Sequence, residues 1–558
     1  MVPADFRFLP APPPLTMNCS LRDSLEWLYP DSTIDGAPIT SLGCDVPAGG
    51  VADVNVLITD IVPDKPLRFS SDAPGGEFFR LIDVPVERNT GPDAFAERDG
   101  GPLNEFVTRR APFRVFDAME PLTGDSLTPA NIEPLTGERL TPDAATVALR
   151  FRLRVGYDAP SGEHRIAIRV SQGGEEARLA FSVRVFDAGL PPVGRDSFPY
   201  TNWISYSAIA ERHGIEPWSE AYFAMVGRYA RLMAYGRQNM FLLPLSVLFA
   251  AKEGRPVLDV VRLERLVRLF TDAGLHFIEG GHFGARTTGE WTCPTFSTSV
   301  VKEPATSAAG GEVIASMGRQ LMDAIRRNGW GDRWIQHVAD EPIPENAVDY
   351  RIFTGMVRRY MPGVPIMDAT QDPDMAGAVD AWCPLVSHYE SAKDKFNAAK
   401  ARGDDVWYYT CCNPGGRFMN RLLDNELLRP LFLGWGGALY GLDGFLHWGL
   451  NHCAEGQDPF RQSVVPNWGG GTNSLPAGDT HIVYPGRDGP WPSARLEAMR
   501  QGFEDRDLLE RLRAKDPARV EPLIRAIVRG FADYTPDVPL YRRTRRELIG
   551  LLSIQPRT

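Results

Sequence analysis

Two carboxylates stand side by side at Asp340 and Glu341, in the run WIQHVADEP. Such a pair offers one group that can stay protonated and donate while its neighbour stays charged and stabilises, the chemistry of general acid catalysis. Pro342 disfavours a helical backbone at the residue before it, so Glu341 is expected to be extended, which would fix where its side chain projects. The same dipeptide, however, also suits the solvated start of a helix, where acidic residues are common. On spacing alone the two readings stand level.

The neighbouring strand-like segments tilt the balance, because their ends carry aromatics and amides in place of a second ionisable cluster. Trp203, Trp382, Trp407, Tyr408, Tyr409, Trp448 and Asn451 all fall there. Aromatic faces pack on the apolar C–H faces of sugar rings and amides bond to hydroxyls. Any one Trp is more often core; recurrence at one rim points to a sugar pocket. His282 and His337 could shape that pocket or be ordinary hydrogen-bonded histidines. No HExxH, P-loop, Rossmann fingerprint or GxSxG elbow occurs. Cys411 and Cys412 are vicinal, which suits neither a CxxC redox pair nor a metal site, and burial in the seventh strand is expected of them. The expectation is therefore no metal and no cofactor.

Two kinds of element must position these groups. Up to about residue 190 the chain alternates: Val147, Leu149, Phe151, Leu153 and Val155 share one face while arginines take much of the other. Ile166, Ile168 and Val170, then Leu179, Phe181, Val183 and Val185, repeat the period. Three such runs predict one antiparallel sheet, half of a β-sandwich. GLPPVGRD then ends the pattern and marks a domain boundary. Beyond it, SFPYTNWIS, MFLLPL, LHFIEGG, WIQHVADEP, PIMDA, VDAWCPLV, VWYYTCC and DGFLHWGLN read as short strands, several with helical material between them. Eight βα repeats predict a (β/α)8 barrel, whose catalytic groups sit at the C-terminal strand ends. The expected domains are 1–190 (β-sandwich), 196–515 (catalytic barrel) and 516–558 (helical extension).

Composition narrows the partners. Apolar residues make up 43% and charged residues 23% of 558, enough for a large core and against global disorder. Sixty Lys and Arg against 71 Asp and Glu leave a net charge of −11, which disfavours nucleic acid or an anionic membrane. Seven cysteines are an odd, thin count, so reduced thiols are expected. The opening MVPADFRFLPAPPPL lacks a signal-peptide pattern, and a cytoplasmic chain is expected as written, or a secreted or periplasmic one if a signal has been trimmed.

HVADEP, VDAWCP, WYYTCCNPGG, GWGGALYGLDGFLHWGLN, DPF, HIVYPGRDG and PSARLEAMRQGFED together resemble the DUF4091 domain proteins, which include the glycoside hydrolase family 123 β-N-acetylgalactosaminidases. The resemblance covers roughly residues 197 to 515. It implies a β-sandwich followed by a (β/α)8 barrel, and retention assisted by the substrate's own acetamido group. On that pattern Glu341 would protonate the glycosidic oxygen and later activate water, Asp340 would stabilise the acetamido N–H, and Tyr409, with Tyr408 as alternate, would support the acetamido oxygen. The expected partner is a carbohydrate bearing a terminal β-linked N-acetylhexosamine, GalNAc favoured. One rival is a glycosidase for a non-acetamido sugar, with Glu279 or Glu390 as the second carboxylate. The other is a non-catalytic carbohydrate-binding protein.

Overall fold

The computed structural model describes residues 17–62, 64–127 and 146–553. The opening run, and the end of the C-terminal extension beyond residue 553, lie outside them. The N-terminal region is β-rich. One five-stranded sheet runs in the order Asn18–Arg22, Val51–Thr59, Val147–Arg154, Glu77–Val86, Phe113–Leu122. A second runs Ser41–Pro47, Glu175–Phe186, Gly162–Gln172, Leu67–Ser71, Ser126–Leu127. Val54, Leu149 and Phe151 from the first share one apolar core with Ile168, Phe181 and Val183 from the second.

The three alternating runs are thus divided between two sheets. Gly162–Gln172 and Glu175–Phe186 form an antiparallel hairpin, whereas Val147–Arg154 pairs with Val51–Thr59 and Glu77–Val86 opposite them. Phe151 and Phe181 meet edge-on across the interior, 6.2 Å between centroids. On the arginine face of Val147–Arg154 only Arg154, at the end of the strand, is exposed. Arg150 and Arg152 are buried, and Arg152 pairs with Glu497 at 2.9 Å.

Past residue 199 the chain alternates short parallel strands with helices, and every strand-like segment anticipated there contains one. Tyr200–Asn202, Phe445–His447 and Tyr408–Tyr409 form one parallel sheet; Met240–Leu243, Phe277–Gly280 and Trp334–Gln336 a second; Met367–Ala369, Ala381–Cys383 and Asp405–Val406 a third. Single parallel bridges, Gln336 to Ile366 and Leu385 to Tyr409, lie between them.

The C-terminus is helical. Ser493 caps the helix Ala494–Lys515 by accepting from the Leu496 amide at 3.0 Å. This helix is polar in composition yet buried over most of its length, because its charges are met from several sides. Arg500 bonds to Glu497 and Glu504, and Asp505 accepts from Trp435, Tyr541 and Arg545. It crosses Leu428–Tyr440 at glycines, and a Cβ on Gly434 would sit 2.1 Å from the Gly502 carbonyl. The helices Pro517–Arg525 and Val538–Leu552 join the same core.

Arg495 fastens this helix to the β-rich region. It is fully buried, pairs with Asp117 at 2.9 Å, and donates to the carbonyls of Arg421, Gly478 and His481. Removing one partner of a buried ion pair strands the other charge. Arg495→Met is therefore expected to lower stability by about 3–5 kcal/mol in urea unfolding, with part recovered by adding Asp117→Asn. A loss below about 1 kcal/mol would show that the pair does not anchor the two regions.

Candidate active site

One cavity of about 240 Å³ gathers Asp340 and Glu341 with Trp203, Tyr409, Trp448 and Trp468, and Cys411, Cys412 and Asn467 complete part of its wall. Asp340 and Glu341 lie four and five residues beyond the strand Trp334–Gln336, on the turn that follows it. Glu341 is not extended. Its φ of 49° places it in the left-handed region, which a non-glycine residue occupies only when its surroundings impose it. Arg286 supplies that constraint, donating to the Asp340 carbonyl at 3.0 Å and the Glu341 carbonyl at 2.7 Å. The preference set by Pro342 is overridden by these bonds and by Gln371, whose amide N–H bonds to the Pro342 carbonyl at 3.2 Å.

The carboxylate of Glu341 accepts from Tyr409 Oη and, at 3.0 Å, from Gln371 Nε2. Gln371 Nε2 also reaches Tyr409 Oη. Desolvation, then the charge of Asp340, pushes Glu341 up to about 7, and the bonds from Tyr409 and Gln371 hold it back in part. Asp340 is pushed up to about 6 by desolvation and then by Asp368, with His337 and Arg286 opposing. At neutral pH the pair is poised to share one proton, the state an acid beside a charged stabiliser needs.

Behind them lies a buried chain of charge. Glu279 accepts from Thr201 Oγ1 and Trp203 Nε1, each at 2.8 Å, and bonds to His337 Nε2 at 2.6 Å. His337 Nδ1 bonds to Asp368 Oδ1 at 2.9 Å. Asp368 Oδ2 accepts from Tyr350 and from the amides of Val338 and Ala339, at 3.1 and 3.2 Å. Burial alone would drive His337 neutral, but its bonds to two carboxylates outweigh that and lift it to about 10. An imidazolium there donates from both nitrogens.

His282, beside it, is driven down to about 4 by burial and by the charge of His337. His282, His337 and Asp368 bring ligand atoms within 4.8 Å of one another, the one such group of three among the described residues. Both His337 nitrogens are already committed to carboxylates, so the set suits a hydrogen-bonded relay better than a metal.

The structure divides the aromatic candidates. Trp203, Tyr409 and Trp448 line the cavity. Tyr408 turns the other way, donating to the Leu433 carbonyl at 2.7 Å, and Trp382 is buried against Phe396 with its indole on Asp404. Trp407 is buried against Gly444, where a Cβ would clash with the indole ring. Asn451 is spent on the Ser205 backbone, accepting from its amide and donating to its carbonyl. His337 is walled off, and His282 stands next to Trp203 at 5.3 Å. Glu279 is saturated, and Glu390 is held by Tyr440 and the Phe531 amide.

Cys411 and Cys412 are half-buried on the cavity wall, not buried in a strand, because the seventh strand ends at Tyr409. Sequence reasoning passed over Trp468, Gln371, Arg286 and Asp368. Only Trp468, an aromatic before three glycines, carries a local signal.

Residues 203–512 match the family described as glycoside hydrolase 123, catalytic domain. The protein is a glycoside hydrolase. The chain belongs to glycoside hydrolase family 123. Among solved structures it is similar to a family 123 glycoside hydrolase from Clostridium perfringens, studied for glycolipid glycan hydrolysis. The two are 13% identical with a TM-score of 0.69, over 96% of this chain and 97% of that one. Slighter likenesses, on which nothing rests, are to a GH10 xylanase with a bacterial Ig-like domain from termite gut (10% identity, 84% and 100% covered, TM-score 0.32) and a cold-adapted β-galactosidase from Rahnella sp. R3 (12%, 56% and 57%, 0.34). No curated protein matches the sequence. No helix among the described residues is long and apolar enough to cross a membrane.

Tyr409 lowers the Glu341 carboxyl by donating to it, so Tyr409→Phe should raise it further. If Glu341 is the acid, the basic limb of kcat/KM against pH should move upward in this variant. A limb that stays put or moves down would separate Glu341 from the pH dependence.

Proposed function

We propose that the protein is a retaining, exo-acting hydrolase that releases terminal β-linked N-acetylhexosamine, GalNAc favoured, with the substrate's acetamido oxygen as nucleophile. One observation carries this reading: Asp340 and Glu341 are the only carboxylates lining the cavity among the described residues, and they are contiguous. A conventional retaining pair flanks the sugar with carboxyl groups about 5 Å apart. Neighbours on one turn are poorly placed for that, and the carboxylates that could have served instead, Glu279 and Glu390, are committed elsewhere. The acetamido group fills the vacant role.

In this reading Glu341, raised toward neutrality, donates its proton to the glycosidic oxygen as the acetamido oxygen closes on the anomeric carbon. Asp340 accepts from the acetamido N–H and stabilises the oxazolinium. Glu341 then takes a proton from the water that opens the oxazoline. Tyr409 donates to Glu341 in the resting site; once Glu341 is protonated that hydroxyl is released to the acetamido oxygen. Trp203, Trp448 and Trp468 offer faces to the ring.

The eight strand-like segments, in which Asp405–Val406 and Tyr408–Tyr409 together stand as the seventh, are read as one (β/α)8 barrel with the cavity at its C-terminal mouth, supported by the parallel pairing of their strands and the bridges between sheets. Over the described residues the domains are read as a β-sandwich from 17 to about 190, the barrel over 196–515 and a helical extension from 516 to 553. By analogy with the Clostridium perfringens enzyme, a glycolipid glycan is the substrate class to try first.

Glu341→Gln should fold normally and lose at least about 10²-fold in rate on substrates with poor leaving groups, but less on activated aryl glycosides. Equal, small losses on both would sink the assignment. An N-acetylhexosamine thiazoline, resembling the bicyclic intermediate, should inhibit competitively and bind more tightly than the free sugar. Asp340→Asn should weaken that inhibition. A covalent glycosyl-enzyme trapped on any carboxylate would refute the mechanism.

A further inference from the structure

Cys411 and Cys412 take no part in the chemistry above, yet they sit on the wall of the same cavity as Asp340 and Glu341. Their Sγ atoms are 3.9 Å apart, and both residues keep some exposed surface, as Cys44 and Cys453 do, whereas Cys19, Cys293 and Cys383 are buried. The backbone that carries them is pinned. The Cys411 amide donates to the Asn413 carbonyl at 2.8 Å, Asn420 Nδ2 donates to the Cys411 carbonyl at 2.8 Å, and the Phe95 amide donates to the Cys412 carbonyl at 2.9 Å. Two thiols are thus held ready to share one atom.

The number of donors decides which atom. Zinc bound by thiolates at about 2.3 Å would span the two sulfurs, but it requires about four ligands. The one group of three or more metal-ligating side chains among the described residues is His282, His337 and Asp368, which does not include these cysteines. A monosubstituted trivalent arsenical needs only two sulfurs, its third valence being carbon. Sharing its proton with the Cys412 sulfur, and then burial, hold the Cys411 thiol well above its ordinary range, so at neutral pH it keeps its proton. An arsenic oxide carries the oxygen that removes such protons.

We propose that Cys411 and Cys412 form a dithiol site for monosubstituted trivalent arsenicals, and that filling it blocks the sugar cavity. In R–As=O the arsenic–oxygen bond breaks, two As–S bonds form, and the oxygen leaves with both thiol protons as one water. Arsenic stays trivalent and sulfur is not oxidised, so no oxidant is required. Blockade rests on the reading of this cavity as the sugar site; binding does not.

The test treats the full chain with phenylarsine oxide and follows intact mass and hydrolysis side by side. A single adduct formed with loss of one water is expected. Inhibition should be relieved by 2,3-dimercaptopropanol and not by the same thiol concentration of 2-mercaptoethanol. Cys411→Ser and Cys412→Ser, each read against its own untreated rate, should need about 10²-fold more arsenical for half inhibition, the scale on which a second linked contact multiplies affinity. Cys411→Ala and Cys412→Ala repeat the comparison, with circular dichroism confirming the fold.

An adduct that persists undiminished in these variants, or maps to Cys293 or Cys453, overturns the site. An adduct on Cys411 and Cys412 that leaves hydrolysis untouched overturns the blockade. If no N-acetylhexosaminide is cleaved at all, the functional reading fails while intact mass still decides the binding.

Discussion

Two negative charges on adjacent, half-buried residues that face one cavity repel each other strongly, and the surrounding structure is arranged around that repulsion. Coulomb energy grows as the local dielectric falls, so the pair is tolerable only if one carboxyl keeps a proton or positive charge stands close. Both answers are present. Glu341 is raised toward neutrality, while Arg286 and the His337 imidazolium draw Asp340 the other way. His337 itself stays charged only because Glu279 and Asp368 grip it from both sides. The chain from Trp203 through Glu279, His337 and Asp368 to the amides of Val338 and Ala339 therefore ties one wall of the cavity to the turn that bears the acids. A site of this kind reorganises little when charge moves, which is where most electrostatic catalysis originates.

Such a turn needs a stiff frame, and strands of two to four residues provide little of it themselves. The frame is supplied from outside. Ala494–Lys515 crosses Leu428–Tyr440 at the glycine contact between Gly434 and Gly502, and its buried charges reach the N-terminal sheets through Arg152 and Asp117. Buried ion pairs contribute little net stability compared with apolar packing, but they discriminate sharply against misdocked arrangements that would leave a charge alone. The β-rich region thereby buttresses the helices behind the site.

Much of this was legible in the sequence where a short-range pattern controls the outcome. The alternation in Val147–Arg154 and Glu175–Phe186 marks strands, and the short apolar segments after residue 199 each hold a parallel strand. The paired acids announce themselves as DEP. What stayed hidden depends on distance through space. Glu279, His337 and Asp368 are far apart in sequence, and nothing local to any of them signals the others. Adjacent strand-like runs in the N-terminal region were expected to pair, but the turn after Arg154 carries the chain from one sheet to the other. The left-handed Glu341 contradicts the local rule for a residue before proline. It does so at the one place where tertiary bonds are aimed at its backbone, and sites of strain are where local rules are expected to fail.

The aromatic run Trp407, Tyr408, Tyr409 shows how far periodicity alone can reach. Successive side chains on a strand point to opposite faces, so Trp407 and Tyr409 share an apolar cluster while Tyr408 joins the core on the other side with Phe445 and Phe531. Direction was therefore available from the sequence. Depth was not: Trp407 and Tyr409 point the same way, yet Trp407 is sealed by Gly444, while Tyr409, two residues nearer the end of the strand, touches Glu341. The same holds for Trp382, whose neighbours Ala381 and Cys383 face the cluster that contains Tyr409 while the indole packs on the other side. An aromatic becomes part of the sugar site only when both its face and its level along the strand are right, and the level is set by where the turn beyond each strand begins.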